Sequence, residues 1–165
     1  MNNLKDRKSI RLSTYNYKKN GSYFITICIQ NRENRLGKIK NGNMILNQAG
    51  EMIDKWLNYL SEHFKNISIT DRVIMPNHIH FILNIQHQTE DLATLSTMIQ
   101  WFKTMTTNEY IRRVKDNIYL PFNKRIWQRN YYEHIIRNEQ SYENITKYIK
   151  NNPITWEKDK LHITP

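Results

Sequence analysis

Two runs rich in β-branched residues, Ile67–Met75 (ISITDRVIM) and His78–Ile85 (HIHFILNI), are separated only by Pro76 and Asn77. Parallel strands need a crossover of a dozen or more residues, so a two-residue link makes these strands antiparallel neighbours. Side chains alternate along a strand, and His78 and His80 therefore project to the same side of the pair. Two neighbouring imidazoles can grip one metal ion. The spacing alone is a weak signal, since a chain with six histidines reaches it easily by chance.

The remaining segments fit around that hairpin. Ser22–Gln30 (SYFITICIQ) follows Asn20-Gly21 and reads as a strand entered through a turn. Gly37–Asn47 (GKIKNGNMILN) carries Asn41-Gly42 between two short runs, the mark of a small hairpin. Asn47 caps a helix reaching to about Phe64, with Met52, Ile53, Trp56, Leu57 and Leu60 on one stripe. A second amphipathic helix covers about Leu92 to Val114, and its Leu95, Met98, Ile99, Phe102 and Met105 read as plain core. Ile126–Ile136 (IWQRNYYEHII) supplies a last strand or an extended return, and a final helix from Glu139 to Asn151 is stopped by Pro153. This order predicts an α+β fold, a ferredoxin-like βαββαβ antiparallel sheet with a C-terminal helix packed over it. It forms one domain across residues 1–165, with a basic N-terminal arm over 1–19.

The formal charge of +10 is unevenly spread: residues 1–40 carry +8, residues 41–100 carry −3 and residues 101–165 carry +5. Basic flanks around a slightly acidic middle point to a polyanion. Aromatic residues make up 12% of the chain, many beside Lys, Arg or Asn, as in TYNYKKN and WQRNYYEH, which favours a nucleic acid with unstacked bases over a membrane. The single cysteine, Cys28, sits in an alternating run as a small core residue and fits a reducing cytoplasm. The N-terminus lacks a signal peptide and no run is long enough to cross a bilayer, so the expectation is a soluble cytoplasmic protein with no membrane partner. Only four glycines are present, none in a phosphate-binding loop, so no nucleotide cofactor is expected.

In the final helix, SYENITKYIKNNP, Ile145, Tyr148, Ile149 and Asn152 share one face. A tyrosine on such a stripe is usually core, and with ten tyrosines in the chain periodicity does not choose Tyr148 over Tyr142 or Tyr132.

Three blocks in order, RLSTYNYKKNGSYFITICIQNRENRLGKI, VIMPNHIHFIL and WQRNYYEHIIRNEQSYENITKYIKNNPITW, cover nearly the whole chain. Together they resemble the REP-associated tyrosine transposases, a branch of the single-tyrosine HUH transposases of bacterial insertion sequences. The resemblance implies that His78 and His80 bind a divalent metal, Mg²⁺ or Mn²⁺, that Asn152 completes the site, and that Tyr148 is the nucleophile. Imidazoles alone would also suit zinc. It implies a DNA-binding endonuclease and strand transferase that cleaves single-stranded or hairpin DNA through a 5′-phosphotyrosine intermediate, in a bacterial cytoplasm and on the nucleoid when bound to DNA. His134 also matches the family pattern, either in contact with the scissile strand or as a structural histidine. Arg11, Lys18, Lys19, Lys103, Arg125, Arg129 and Arg137 are candidate phosphate contacts. The Asn-Pro ending after Tyr148 leans to a monomer over a homodimer with exchanged helices. The alternative reading is a non-catalytic ferredoxin-like module that binds single-stranded nucleic acid; a small zinc-binding regulator is weaker, for want of a second metal-spaced pair.

Overall fold

The computed structural model describes residues 20–86 and 93–162. In chain order the elements are β1 (Gly21–Cys28), β2 (Gly37–Lys40), β3 (Asn43–Leu46), α1 (Gln48–His63), β4 (Ile67–Ile74), β5 (His78–Ile85), α2 (Leu95–Lys115), β6 (Tyr132–Ile136) and α3 (Glu139–Asn151). Short 3-10 turns lie at Gln30–Arg32 and Trp156–Lys158. The main sheet runs β4-β5-β1-β6 with every neighbouring pair antiparallel, the strand order of a ferredoxin-like unit. Strands β2 and β3 form a separate two-stranded ribbon inserted before α1. No described helix is long and apolar enough to cross a membrane.

Local chemistry explains the joints. Asn41 (φ 51°) and Gly42 (φ 71°) both take the left-handed conformation that a two-residue hairpin requires. Asn47 caps α1 by accepting from the Gly50 amide, and Thr94 caps α2 through Thr97. The second helix thus begins at Leu95, later than the periodicity implied, because a cap with an extended backbone precedes it. Of the two readings for Ile126–Ile136, the structure takes both in succession. Trp127 makes an isolated bridge to Ile29, and Tyr132–Ile136 then pairs fully with β1.

Tyr23, Ile25 and Ile27 of β1 and Ile79, Phe81, Leu83 and Ile85 of β5 bury one sheet face against α1 and α2. On the other face Phe24 and Ile82 pack with Ile149 of α3, flanked by Val73, Ile136, Tyr142 and Ile145. Both faces of β5 are therefore covered, which is why imidazoles sit in a strand that otherwise reads as core. Strand β4 carries a bulge between Ile69 and Arg72, and the bulged residues hold α3. Thr70 Oγ1 lies 2.6 Å from the Tyr142 hydroxyl, while Asp71 accepts from Thr146 at 3.2 Å and faces Lys150 at 3.9 Å. Cys28 departs from expectation: as the last residue of β1, opposite His78, it is partly exposed rather than buried.

Candidate active site

His78 and His80 begin β5, paired across the sheet with Cys28 and Thr26. Both are buried, and their ring centroids are 4.5 Å apart. Each ring is oriented through Nδ1. The Asn77 amide nitrogen donates to the carbonyls of Arg32 (3.1 Å) and Leu161 (2.9 Å), so its oxygen must be the atom facing His78 Nδ1 at 2.7 Å. An amide oxygen only accepts, so His78 carries its proton on Nδ1 and presents a bare lone pair at Nε2. His80 Nδ1 lies 2.7 Å from Thr26 Oγ1. Burial lowers the pKa of His78 to about 4, against the opposing pull of Asp159 and Asn152. Burial, and then the neighbouring His78, hold His80 well below the usual histidine range. Both rings are thus neutral, the form in which imidazole binds metals.

Two further groups close on this pair. Asn152, at the C-terminal end of α3, is buried and donates its amide nitrogen to Asp159 Oδ2 at 3.1 Å. Asp159 follows the 3-10 turn at Trp156–Lys158, and its other oxygen accepts from the Leu161 amide at 2.7 Å. Asp159 Oδ2 stands 4.0 Å from His78 Nε2. Ligand atoms of His78, His80 and Asp159 all lie within 4.8 Å of one another. His78 Nε2 and Asn152 Oδ1 are buried without a hydrogen-bond partner. Orphaned buried acceptors are costly, and two of them in one cluster fit a cation that would satisfy both.

Tyr148 comes from the last turn of α3, half-exposed, with its hydroxyl 3.4 Å from His80 Nε2. Phe24 lies between the elements, stacked on His80 at 5.1 Å and edge-on to Tyr148 at 5.9 Å. Burial and then the Asp159 carboxylate raise the phenol's pKa, while Asn152 opposes the rise.

His78, His80, Tyr148 and Asn152 all lie within a stretch of sequence that matches a known family. The profile of the family described as "Transposase IS200 like" matches residues 17–152. The chain belongs to the IS200-like transposase family. One relative, an uncharacterized protein of Haemophilus influenzae, is 40% identical over 168 residues, covering 95% of this chain and 93% of the relative. Another, from the same organism and named "Putative REP-associated tyrosine transposase", is 25% identical over 147 residues, covering 84% of this chain and 73% of its own length. A REP-associated tyrosine transposase solved bound to a REP hairpin shares the fold, with a TM-score of 0.64 at 22% identity, over 92% of this chain and 77% of that one. The resemblance to REP-associated tyrosine transposases read from the sequence and the antiparallel α+β fold therefore both hold.

Within this transposase-family fold the other expected residues are scattered. His134 is exposed on β6 opposite Phe24, on the same sheet face as His80. Arg125, Arg129 and Arg137 are exposed, and the first two rim a cavity of about 470 Å³ beside α2. Lys103 turns inward instead: its ammonium donates to the carbonyls of Gln128 (2.9 Å), Arg129 (3.2 Å) and Asn130 (3.4 Å), and burial lowers its pKa to about 8. It clamps the segment leading into β6. Arg11, Lys18 and Lys19 lie outside the described residues. Elsewhere, His63 stacks on Trp101 at 4.3 Å and His162 packs on Trp156 at 4.7 Å. Asp159 carried no signal in the sequence, because WEKDKLH reads as a solvated charged stretch beyond the last helix.

Proposed function

We propose that this chain is a divalent-metal-dependent endonuclease and strand transferase acting on single-stranded or hairpin DNA through a 5′-phosphotyrosine intermediate. The approach of the Tyr148 hydroxyl to His80, over a cluster holding two orphaned buried acceptors, carries this reading. His78 Nε2, His80 Nε2, Asn152 Oδ1 and Asp159 Oδ2 are the donors that would hold the metal, a mixed nitrogen and oxygen set compatible with Mn²⁺ or Mg²⁺. When bound, such an ion supplies Lewis-acid polarisation of a non-bridging phosphate oxygen and offsets the charge that builds up on it.

The chain's own residues do the rest. Asn77 and Thr26 fix the two imidazoles in orientation, so the donors need no rearrangement before use. The Tyr148 oxygen attacks phosphorus, the bond from phosphorus to the 3′-oxygen breaks, and the leaving oxygen takes a proton to become a free 3′-hydroxyl. The phenol's own proton departs on the solvent side, where Tyr148 is open to a groove lined by His134. Because the new phosphotyrosine bond conserves the energy of the old one, a returning 3′-hydroxyl can reseal the strand without a nucleotide cofactor.

Hairpin DNA enters the proposal from the solved relative, which was bound to a REP hairpin. His78, His80, Tyr148, Asn152 and Asp159 all belong to one chain, which supports action as a monomer. Incubating the protein with single-stranded hairpin oligonucleotides and Mn²⁺ tests the proposal. A covalent DNA adduct that survives denaturation and is absent in chelator is expected; metal-independent cleavage, or none on any strand that binds, would refute it.

A further inference from the structure

A groove of about 540 Å³ opens beside Tyr148, between β6 and α3. Phe24, Tyr132, His134, Gln140, Asn144 and Tyr148 are among its walls, and among the described residues no lysine, arginine, aspartate or glutamate lines it. In a chain of charge +10, a wall whose described residues carry rings and amides favours a base over a phosphate. Tyr132 is 53% exposed and Tyr148 44% exposed, so two aromatic faces stand open to solvent in one small concavity. Exposed rings of this kind bury readily against a planar partner.

The amides are arranged to be read. Gln140 and Asn144 lie one turn apart on α3, and Gln140 donates to the Asn144 oxygen at 3.2 Å. That bond orients both side chains and leaves the Gln140 oxygen as an acceptor beside the Asn144 NH₂ as a donor. Every nucleobase offers a donor and an acceptor side by side on its pairing edge, available when the base is unpaired. Tyr132 and His134 pair with Thr26 and Phe24 of β1, and Thr26 and Phe24 touch His80. The groove and the metal-ligating cluster thus share one sheet face, with Phe24 as their common wall.

We propose that this groove binds one unpaired nucleobase of the strand whose phosphate faces Tyr148, stacking it on Tyr132 and reading its edge with Gln140 and Asn144. The inference rests on the single-strand DNA reading above and adds the part of the site that selects where the strand is cut.

The test measures binding only, with wild-type protein in chelator so that no cleavage occurs. The probes are DNA hairpins with single-stranded flanks carrying 2-aminopurine, whose emission drops on stacking, at one flank position at a time. One position is expected to be quenched. Tyr132→Ala should restore its emission and weaken binding about five- to 150-fold, the range for losing one base–aromatic stack, while Tyr132→Phe should change neither. Removing the base at that position should cost wild type the same factor and make Tyr132→Ala silent. Asn144→Ala should flatten the preference among the four bases there. Quenching that persists in Tyr132→Ala, or an equal loss on the abasic strand, would overturn the proposal while leaving the nuclease reading intact. Stacking without any adduct in Mn²⁺ would do the reverse. Absence of binding to every strand would overturn both.

Discussion

The hydroxyl of Tyr148 and Nε2 of His80 face each other at 3.4 Å, although 68 residues separate them in the chain. The contact exists because α3 is fastened to the sheet at two places. Ile149 seats it against Phe24 and Ile82, and the β4 bulge holds it through Thr146, Tyr142 and Lys150. Helical spacing then carries Asn152, one turn beyond Tyr148, to Asp159 and the histidine pair.

Metal binding is expected to depend on His78, His80 and Asp159. His78→Ala and His80→Ala should each abolish Mn²⁺ binding measured by calorimetry, and Asp159→Ala should weaken it at least tenfold, with the circular-dichroism spectrum unchanged. Full Mn²⁺ affinity in Asp159→Ala would remove the carboxylate from the site.

Acid should destabilise the metal-free protein through His78. Its folded pKa of about 4 lies below the unfolded value, so the unfolded chain takes up the proton first and stability falls as pH drops from about 6.5 towards 4. The loss from this residue should approach roughly 3 kcal/mol. Because carboxylates titrate in the same window, the measurement is urea unfolding in chelator compared with His78→Asn, whose curve should be flatter by that amount. Parallel curves would show that the imidazole is not held neutral by burial.

Removing the β4 grip should loosen α3 selectively. Asp71→Ala deletes the acceptor for Thr146 and the partner of Lys150. A loss of about 1–2 kcal/mol is expected, from the hydrogen bond more than from the exposed ion pair. Amide hydrogen exchange should rise in α3 and not in α1. Uniform exchange across both helices would contradict this local fastening.

Lys103 and Arg129 should separate cleanly. Lys103→Met leaves three carbonyls without their donor and should lower the melting temperature while leaving the salt dependence of DNA affinity alone. Arg129→Ala should leave melting alone and reduce the slope of log K against log salt by about 0.7, one phosphate contact on a single strand. The opposite pattern would make Lys103 the phosphate contact and Arg129 structural.

Much of this was legible in the sequence, for identifiable reasons. The two-residue Pro76-Asn77 link fixed an antiparallel pair, and Asn47 marked the start of α1 to the residue, because turns and caps are local chemistry. The His78, His80 and Asn152 cluster followed from strand alternation, helix spacing and family resemblance. Asp159 escaped because its role depends on the chain doubling back after α3, which no periodicity records. The three carbonyls around the ammonium of Lys103, a candidate phosphate contact by sequence, left no trace there because they are assembled only by the fold.

The central claim is that Tyr148 carries the DNA. Trapping the adduct formed with Mn²⁺ on a single-stranded hairpin, digesting it and sequencing the modified peptide tests this most directly. Attachment at Tyr148 is expected. Tyr148→Phe, which removes one oxygen and almost no volume, should bind the same DNA yet form no adduct. DNA attached to Tyr131, Tyr132 or Tyr142, or undiminished cleavage by Tyr148→Phe, would contradict the account.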